Sequence, residues 1–402
     1  MTIQRVEFKG GRGDMLVGAL ELPPGRIRAA ALFAHCFTCT KQSKAATEVT
    51  RALAAKGIAT LRFDFTGLGG SEGDFGNGGF ASDVDDVIAA ADWLRAELDC
   101  DVLLIGHSLG GAAVLAAAQR VTGAIGVATI GAPADVPHVL GNVKGDLAAI
   151  ETQGHGEVSI GGRPFRLRRA FLDAVRKADL LSAVKILRLP LLLLHAPRDE
   201  IVGIDNARKL FEAAIHPKSF VSLDEADHLL TDADEARYAA GVIAGWAARY
   251  LSKIETEAPA EGVMAETGHG KFGTQLWAGR HAFIADEPAS YGGADMGPSP
   301  YDYLGAALAS CTVMTLHLYA ARKGIALHHA EVTVTHDRNH AEDCDHPEMP
   351  GEEIQALWKD IRLEGELSDD DRTALLEIAD KCPVNKTLTG HLHIHRRESA
   401  GD

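Results

Sequence analysis

The chain has 402 residues, more than one hydrophobic core usually supports, and its 46% hydrophobic and 24% charged content excludes a disordered polymer, so two domains are expected. A formal charge of -16 repels phosphate backbones and anionic headgroups, which sets aside nucleic acid and membrane surfaces as partners. The opening MTIQRVEFKGGRG holds no apolar core of signal-peptide length and the longest purely aliphatic run, 191–194, is too short for a bilayer, so a cytoplasmic protein is expected.

Up to about residue 250, short aliphatic runs alternate with longer segments of helical period, the pattern of a parallel sheet covered by helices. Residues 29–35, 58–65 and 102–105 read as strands, and 43–56 and 82–98 as helices, the first stopped at Gly57. The stretch 134–187 breaks the rhythm with scattered Gly, Pro and His, and 189–195 resumes it as a buried strand. An insertion there reads either as a cap over a site or as an ordinary long connection. Residues 255–270, ETEAPAEGVMAETGHG, lack apolar period and read as a linker between domains at 1–254 and 271–398. Beyond it, 275–285 and 330–335 alternate like strands, and 300–323 and 369–381 read as apolar helices. The expected fold class is therefore α/β, a mostly parallel sheet with helices on both faces, followed by a smaller α+β domain.

The run VLLIGHSLGG places Gly106-His107-Ser108-Leu109-Gly110 at a strand end before a helix of small residues. That is the context of a nucleophile elbow, in which small flanking residues let the chain turn sharply and push the serine hydroxyl clear of the sheet. A serine hydroxyl needs a base held in one tautomer by a carboxylate. Asp199 follows the strand LLLLH and His228 lies in DEADHLL after the strand-like 220–223, so acid and base come in the order Ser, Asp, His. Asp224 and Asp227 are read as neighbours that only solvate the His228 loop. His35-Cys36-Phe37-Thr38 falls where a loop after an early strand supplies an oxyanion hole. HCFT resembles the HGFT loop of cinnamoyl-esterase-like α/β-hydrolases, and RFDFTGLGGSEG resembles their next loop. By that resemblance, which covers roughly the first 250 residues, the N–H groups of Phe37 and Leu109 are the oxyanion donors, and Cys36 replaces the usual glycine.

Six cysteines are too few for a disulfide scaffold in a chain this long, and in a reducing compartment they are expected as thiols that matter through reactivity. Cys36 and Cys39 form a C-x-x-C inside the oxyanion loop, read as structural rather than redox. In LGAALASCTVMTLHLYAA, residues Leu304, Ala307, Leu308, Cys311, Thr315 and Leu318 share a helix face, so Cys311 should face a core or interface. Cys344 with His340 and His346 reads as a solvated acidic loop, not a metal site. Cys100 reads as plain structure.

GPSPYDYL, ALASCT and DKCPV resemble motifs of the OsmC family over about 271–396. That resemblance implies that Cys311 is the peroxidatic cysteine and Cys382 the resolving one, in an intertwined homodimer, with Asp302 where the family has a glutamate. No arginine stands cleanly in register; Arg280 is a loose candidate. The implied chemistry is attack of a Cys311 thiolate on an organic hydroperoxide, condensation of the sulfenic acid with Cys382, and reduction by an external dithiol. The sequence thus points to a serine carboxylesterase acting on a small ester, with thioesterase or amidase action using the same parts. Its fused domain is either a thiol peroxidase or a non-catalytic dimerisation module. No metal or organic cofactor is implied.

Overall fold

The computed structural model describes residues 2–36, 39–137, 143–160, 163–251, 261–268, 270–340 and 353–397. The chain divides into two compact units, Met1–Met296 and Gly297–Asp402. The expected cysteine loop residues Cys344 and His346 lie outside the described residues, as do the oxyanion residues Phe37 and Thr38.

The first unit opens with β1 (Thr2–Lys9), β2 (Met15–Leu22) and β3 (Ala29–Ala34), then α1 (Lys44–Ala54), β4 (Ile58–Phe63), α2 (Phe75–Leu98) and β5 (Val102–His107). It continues through α3 (Leu109–Ala117), β6 (Ala124–Ile130), β7 (Val143–Lys144), α4 (Leu147–Gln153), β8 (His155–Ile160), β9 (Arg163–Arg168), α5 (Arg169–Lys177) and α6 (Leu180–Lys185). Next come β10 (Leu191–His195), α7 (Asp205–Ala213), β11 (Lys218–Ser222) and α8 (Ala233–Ala247). The main sheet has eight strands in the order β1-β2-β4-β3-β5-β6-β10-β11. β1 and β2 form an antiparallel pair and β2 meets β4 antiparallel; every later pairing is parallel. Strands β3, β4, β5 and β10 are buried at every residue, which is why they read as unbroken apolar runs: both faces of a parallel sheet are covered. One core sits beneath α1 and α8 and the other beneath α2, α3 and α6. Side-chain caps from Ser43 and Asp74 start α1 and α2.

The insertion between β6 and β10 folds as a three-stranded antiparallel sheet, β7-β8-β9, with α4, α5 and α6. It is seated on α2. Phe75 packs against Phe165 and Phe171 at ring centroid distances of 5.2 and 5.7 Å. A kink at Gly79, where φ is 61°, lets the two backbones approach: a Cβ there would stand 3.0 Å from Ala174 and 3.3 Å from the Phe171 Cα.

After α8 come β12 (Val263–Thr267), β13 (Thr274–Ala278) and β14 (His281–Ala285), a small antiparallel sheet belonging to the first unit, where Arg26 pairs with Glu266 at 2.7 Å. The single strand expected over 275–285 is thus a hairpin. Gly279 at φ 54° makes a turn that a run of alternating residues does not announce.

The second unit contains α9 (Pro300–Lys323), β15 (Ala326–His340), β16 (Glu353–Glu366), α10 (Asp369–Ala379) and α11 (Pro383–Thr389). β15 and β16 pair antiparallel over almost their whole length, so the expected short strand at 330–335 is the middle of a long ribbon. A core of Leu316, Ala320, Ala330, Leu363, Leu375 and Ala379 joins α9 and α10 to it. Ser299 with Asp302, and Ser368 with Asp371, form capping boxes that start α9 and α10. The buried face of α9 is Gly305, Leu308, Thr312, Leu316 and Ala320, not the expected stripe through Cys311 and Leu318; Leu318 is 73% exposed and Cys311 half-buried. The helix is apolar on all sides, so periodicity could not choose between faces one residue apart. Among the described residues α9 alone has the length and apolar character to cross a bilayer, with a mean hydropathy of 1.4 over an 18-residue stretch of which 28% is buried.

Candidate active sites

The end of β5 and the start of α3 meet at Ser108, whose φ of 55° and ψ of -124° are tolerated only because its neighbours leave room. A Cβ on Gly106 would stand 2.3 Å from the Gly110 carbonyl oxygen, and one on Gly110 would stand 2.3 Å from that of Ala34. The Ser108 N–H donates to the Ile130 carbonyl at 2.8 Å, tying the turn to β6.

Loops after β10 and β11 bring the other two residues to this turn. His228 Nδ1 lies 2.7 Å from Asp199 Oδ2, and His228 Nε2 lies 3.0 Å from Ser108 Oγ. Asp199 and His228 are buried, and Ser108 is half-buried. Burial alone would raise the Asp199 carboxyl, but the His228 bond and the N–H groups of Val202 and Ile201 outweigh it and hold the group below the usual carboxylate range. An ionised Asp199 on Nδ1 makes Nε2 the lone-pair nitrogen facing the hydroxyl, the arrangement of a base poised over a nucleophile. Asp224 accepts from Ser222 and Asp227 from Thr231, so neither competes for the imidazole.

Two histidines that the sequence reading passed over hold this geometry in place. His107 Nε2 donates to the His228 carbonyl at 2.6 Å, and His195 Nε2 donates to the Val202 carbonyl at 2.6 Å, fixing the loop that carries Asp199. Each ends a buried strand next to a triad loop, a position that does not by itself set it apart from a core histidine. Burial, aided by His228, lowers the His107 pKa from 6.5 to about 4. The unfolded chain therefore binds more protons than the native one between those values, so this contribution to stability is complete above pH 6.5 and is lost as pH falls toward 4. The shift corresponds to about 3 kcal/mol. Thermal unfolding followed from pH 7 to pH 4 should show Tm falling through this window, with a shallower fall in His107→Gln; an identical slope in the variant would contradict this.

Of the expected oxyanion donors, Leu109 opens α3 beside Ser108, and Phe37 lies outside the described residues. Cys36 and Cys39 on either side of it are joined by a disulfide, which corrects the expectation of free thiols. Spacing alone does not show that two residues three apart lie 5.3 Å apart between Cα atoms in a closed turn. A cavity of about 10 Å³ lies behind the elbow, lined by His35, Phe65, Leu68, Phe75, Asp83 and Leu109 among others. Burial, reinforced by Asp86, pushes the Asp83 carboxyl well above its usual range.

In the second unit, Cys382 is fully buried at the start of α11, where its sulfur accepts from the Asn385 N–H at 3.3 Å and lies 3.5 Å from Thr312 Oγ1. Burial works against ionisation, but these groups, the Cys311 thiol and the Lys359 ammonium together hold the Cys382 thiol below its ordinary range. The structure therefore brings Cys311 and Cys382 together and supplies Lys359 as the nearby cation that the sequence reading sought among arginines. Lys359 bonds Asp380 at 2.8 Å and Asn385 Oδ1 at 3.1 Å. Asp302 is not part of this cluster. Its carboxylate caps α9 through Ser299, nine residues before Cys311, which is about 13 Å along a helix. Arg280 is exposed in the β13–β14 turn of the first unit. Among the described residues no group of three or more His, Cys, Asp or Glu side chains is arranged to hold a metal ion.

The strand order, with a serine on the sharp turn after β5, defines the first unit as an α/β-hydrolase. Residues 25–153 match the family model described as serine aminopeptidase, S33, and residues 292–395 match that of the OsmC-like proteins. The crystal structure of an esterase domain from a Rhodothermus marinus protein is 49% identical, covering 62% of this chain and 99% of that domain, with a TM-score of 0.52. Est1E from Butyrivibrio proteoclasticus, solved with ferulic acid bound, shares the fold at 19% identity and a TM-score of 0.54, over 61% of this chain and 99% of that one. Uncharacterized proteins of Salmonella typhi (YfhR) and Mycobacterium tuberculosis are 27% and 30% identical over 46% and 45% of this chain; the chain spans 60% and 57% of their lengths. The chain belongs to the α/β-hydrolase family in its first part and carries an OsmC-like domain after it, so it is a fusion of the two.

Proposed function

We propose that the first unit is a serine carboxylesterase in which Ser108 attacks the ester carbonyl, His228 takes and returns the proton, and Asp199 holds the imidazole. The observation that carries this is the unbroken chain of contacts from Asp199 Oδ2 through the imidazole to Ser108 Oγ, at 2.7 and 3.0 Å. Backbone N–H groups of Leu109 and Phe37 would receive the oxyanion, and water would release the acid. The esterase domain from Rhodothermus marinus, at 49% identity, supports an ester over an amide or thioester as the substrate class. A p-nitrophenyl ester series from acetate to decanoate should be turned over by the wild type and not by Ser108→Ala; no turnover on any member would refute the reading.

A second activity is favoured by the cysteine pair. Cys311, the less buried sulfur, would attack the hydroperoxide and release the alcohol. The Cys382 thiol, held below its ordinary range, would then attack the sulfenic acid to form a disulfide and release water. An external dithiol would restore both thiols. Apolar side chains left in the open on this unit, Met314 at 65% and Trp358 at 56%, suit assembly as a homodimer. Cumene hydroperoxide consumption with dithiothreitol should be abolished in Cys311→Ser; consumption at the wild-type rate would leave the domain as a dimerisation module. The locus proposed for both activities is the cytoplasm.

A further inference from the structure

We propose that one buried water bridges His35 Nε2 and the Asp83 carboxyl behind the nucleophile turn, and that Asp83 thereby acts as a positioning residue for the hydrolase. The water site stands on its own geometry; its effect on turnover rests on the esterase reading above.

Two buried polar groups line one small cavity without a protein partner. His35, directly after β3, is 1% exposed, and its Nδ1 lies 2.8 Å from the Cys36 carbonyl oxygen. A carbonyl only accepts, so this bond places a proton on Nδ1. Burial, the largest influence on the ring, lowers its pKa, so the neutral imidazole turns a lone pair outward at Nε2. Nε2 has no hydrogen-bond partner among the described residues. Asp64 Oδ1, 3.9 Å away, cannot supply the proton, because that carboxylate already accepts from the Lys41 N–H, the Gly70 N–H and the Lys41 ammonium. Asp83, on α2, is 8% exposed, and among the described residues no hydrogen bond reaches its carboxyl. Its neighbour Asp86, by contrast, accepts from the Gly11 N–H and from both the N–H and the hydroxyl of Thr66.

Both residues line the cavity of about 10 Å³, with Leu109 and Gly110 of α3 beside them and apolar side chains on the remaining walls. That is about the room one water needs. Water is the donor that Nε2 lacks, and the Asp83 carboxyl is its second partner, so a single molecule satisfies two groups that folded proteins rarely leave unpaired. The bridge runs from the end of β3 to α2 and passes behind the start of α3. Gly110 packs so closely there that a Cβ would stand 2.4 Å from the His35 carbonyl oxygen and 2.3 Å from that of Ala34. A shift of His35 therefore presses on the turn that carries Ser108 and the Leu109 N–H. Displacing an oxyanion donor lowers kcat rather than raising KM.

The test pairs a crystal structure of the full chain, at a resolution that shows ordered water, with p-nitrophenyl acetate kinetics and unfolding temperatures. An isolated density peak should lie about 2.7–3.2 Å from both His35 Nε2 and an Asp83 carboxyl oxygen. Asp83→Leu, which fills the cavity with apolar atoms, should abolish the peak and lower kcat about tenfold with KM little changed; Asp83→Val takes its place if the larger side chain fails to fold. Asp83→Asn, which still offers the water a partner, should keep the peak and recover most of the rate. No peak in the wild type, or direct contact between the two side chains, overturns the water site. A peak removed by Asp83→Leu with kcat unchanged, whatever happens to the unfolding temperature, overturns the positioning role. No turnover by the wild type would instead overturn the esterase reading, and the density would still decide the water site.

Discussion

Ser108→Ala is expected to lower kcat for p-nitrophenyl acetate by roughly 10⁵–10⁶-fold, leaving the residual that an oxyanion hole and binding alone provide. The hydroxyl is the atom that bonds to the acyl carbon, so nothing nearby replaces it; alanine fits the turn at least as well, because the close contacts there belong to Gly106 and Gly110. Unfolding temperature should therefore stay near that of the wild type, which separates lost chemistry from lost structure. Turnover within tenfold of wild type would show that the hydrolysis arises elsewhere, at a cysteine for instance.

Asp199→Asn should cost about 10⁴-fold in kcat while KM changes little. An amide at this position can still meet the Val202 N–H, at 2.8 Å in the wild type, but it can offer an N–H to His228 Nδ1, which favours the tautomer with its proton on Nε2. The nitrogen facing Ser108 Oγ would then have no lone pair to accept the hydroxyl proton. The loss should be partly recovered at high pH, where hydroxide substitutes for the base. A loss below tenfold would mean that orientation by the loop alone suffices, with His195 bracing it from the Val202 carbonyl.

The parts of this site that were legible in the sequence each sit where a strand ends and a short loop begins. Ser108, Asp199 and His228 follow β5, β10 and β11, and a parallel sheet collects those ends at one edge, so their order along the chain already implied convergence. His107 and His195 were missed because a buried histidine at a strand end looks like any core residue until its carbonyl partner is known. The long ribbon of the second unit was only partly legible: β16, EIQALWKDIRLEGE, mixes charges with apolar residues because much of it is exposed. The face of α9 that packs inward could not be read either, since apolar side chains surround that helix and only the position of β15 decides between them. The disulfide in the β3 loop depends on a turn whose closure spacing does not reveal.

The most direct test of the central claim is to quench the full chain during turnover of p-nitrophenyl acetate and map the acetyl group by peptide mass spectrometry, because cysteines can also cleave this ester. The triad requires an acetyl group on the peptide that carries Ser108, formed at the rate of the nitrophenol burst and lost in Ser108→Ala. An acetyl group found instead on the Cys311 or Cys382 peptide, with none on Ser108, would contradict it.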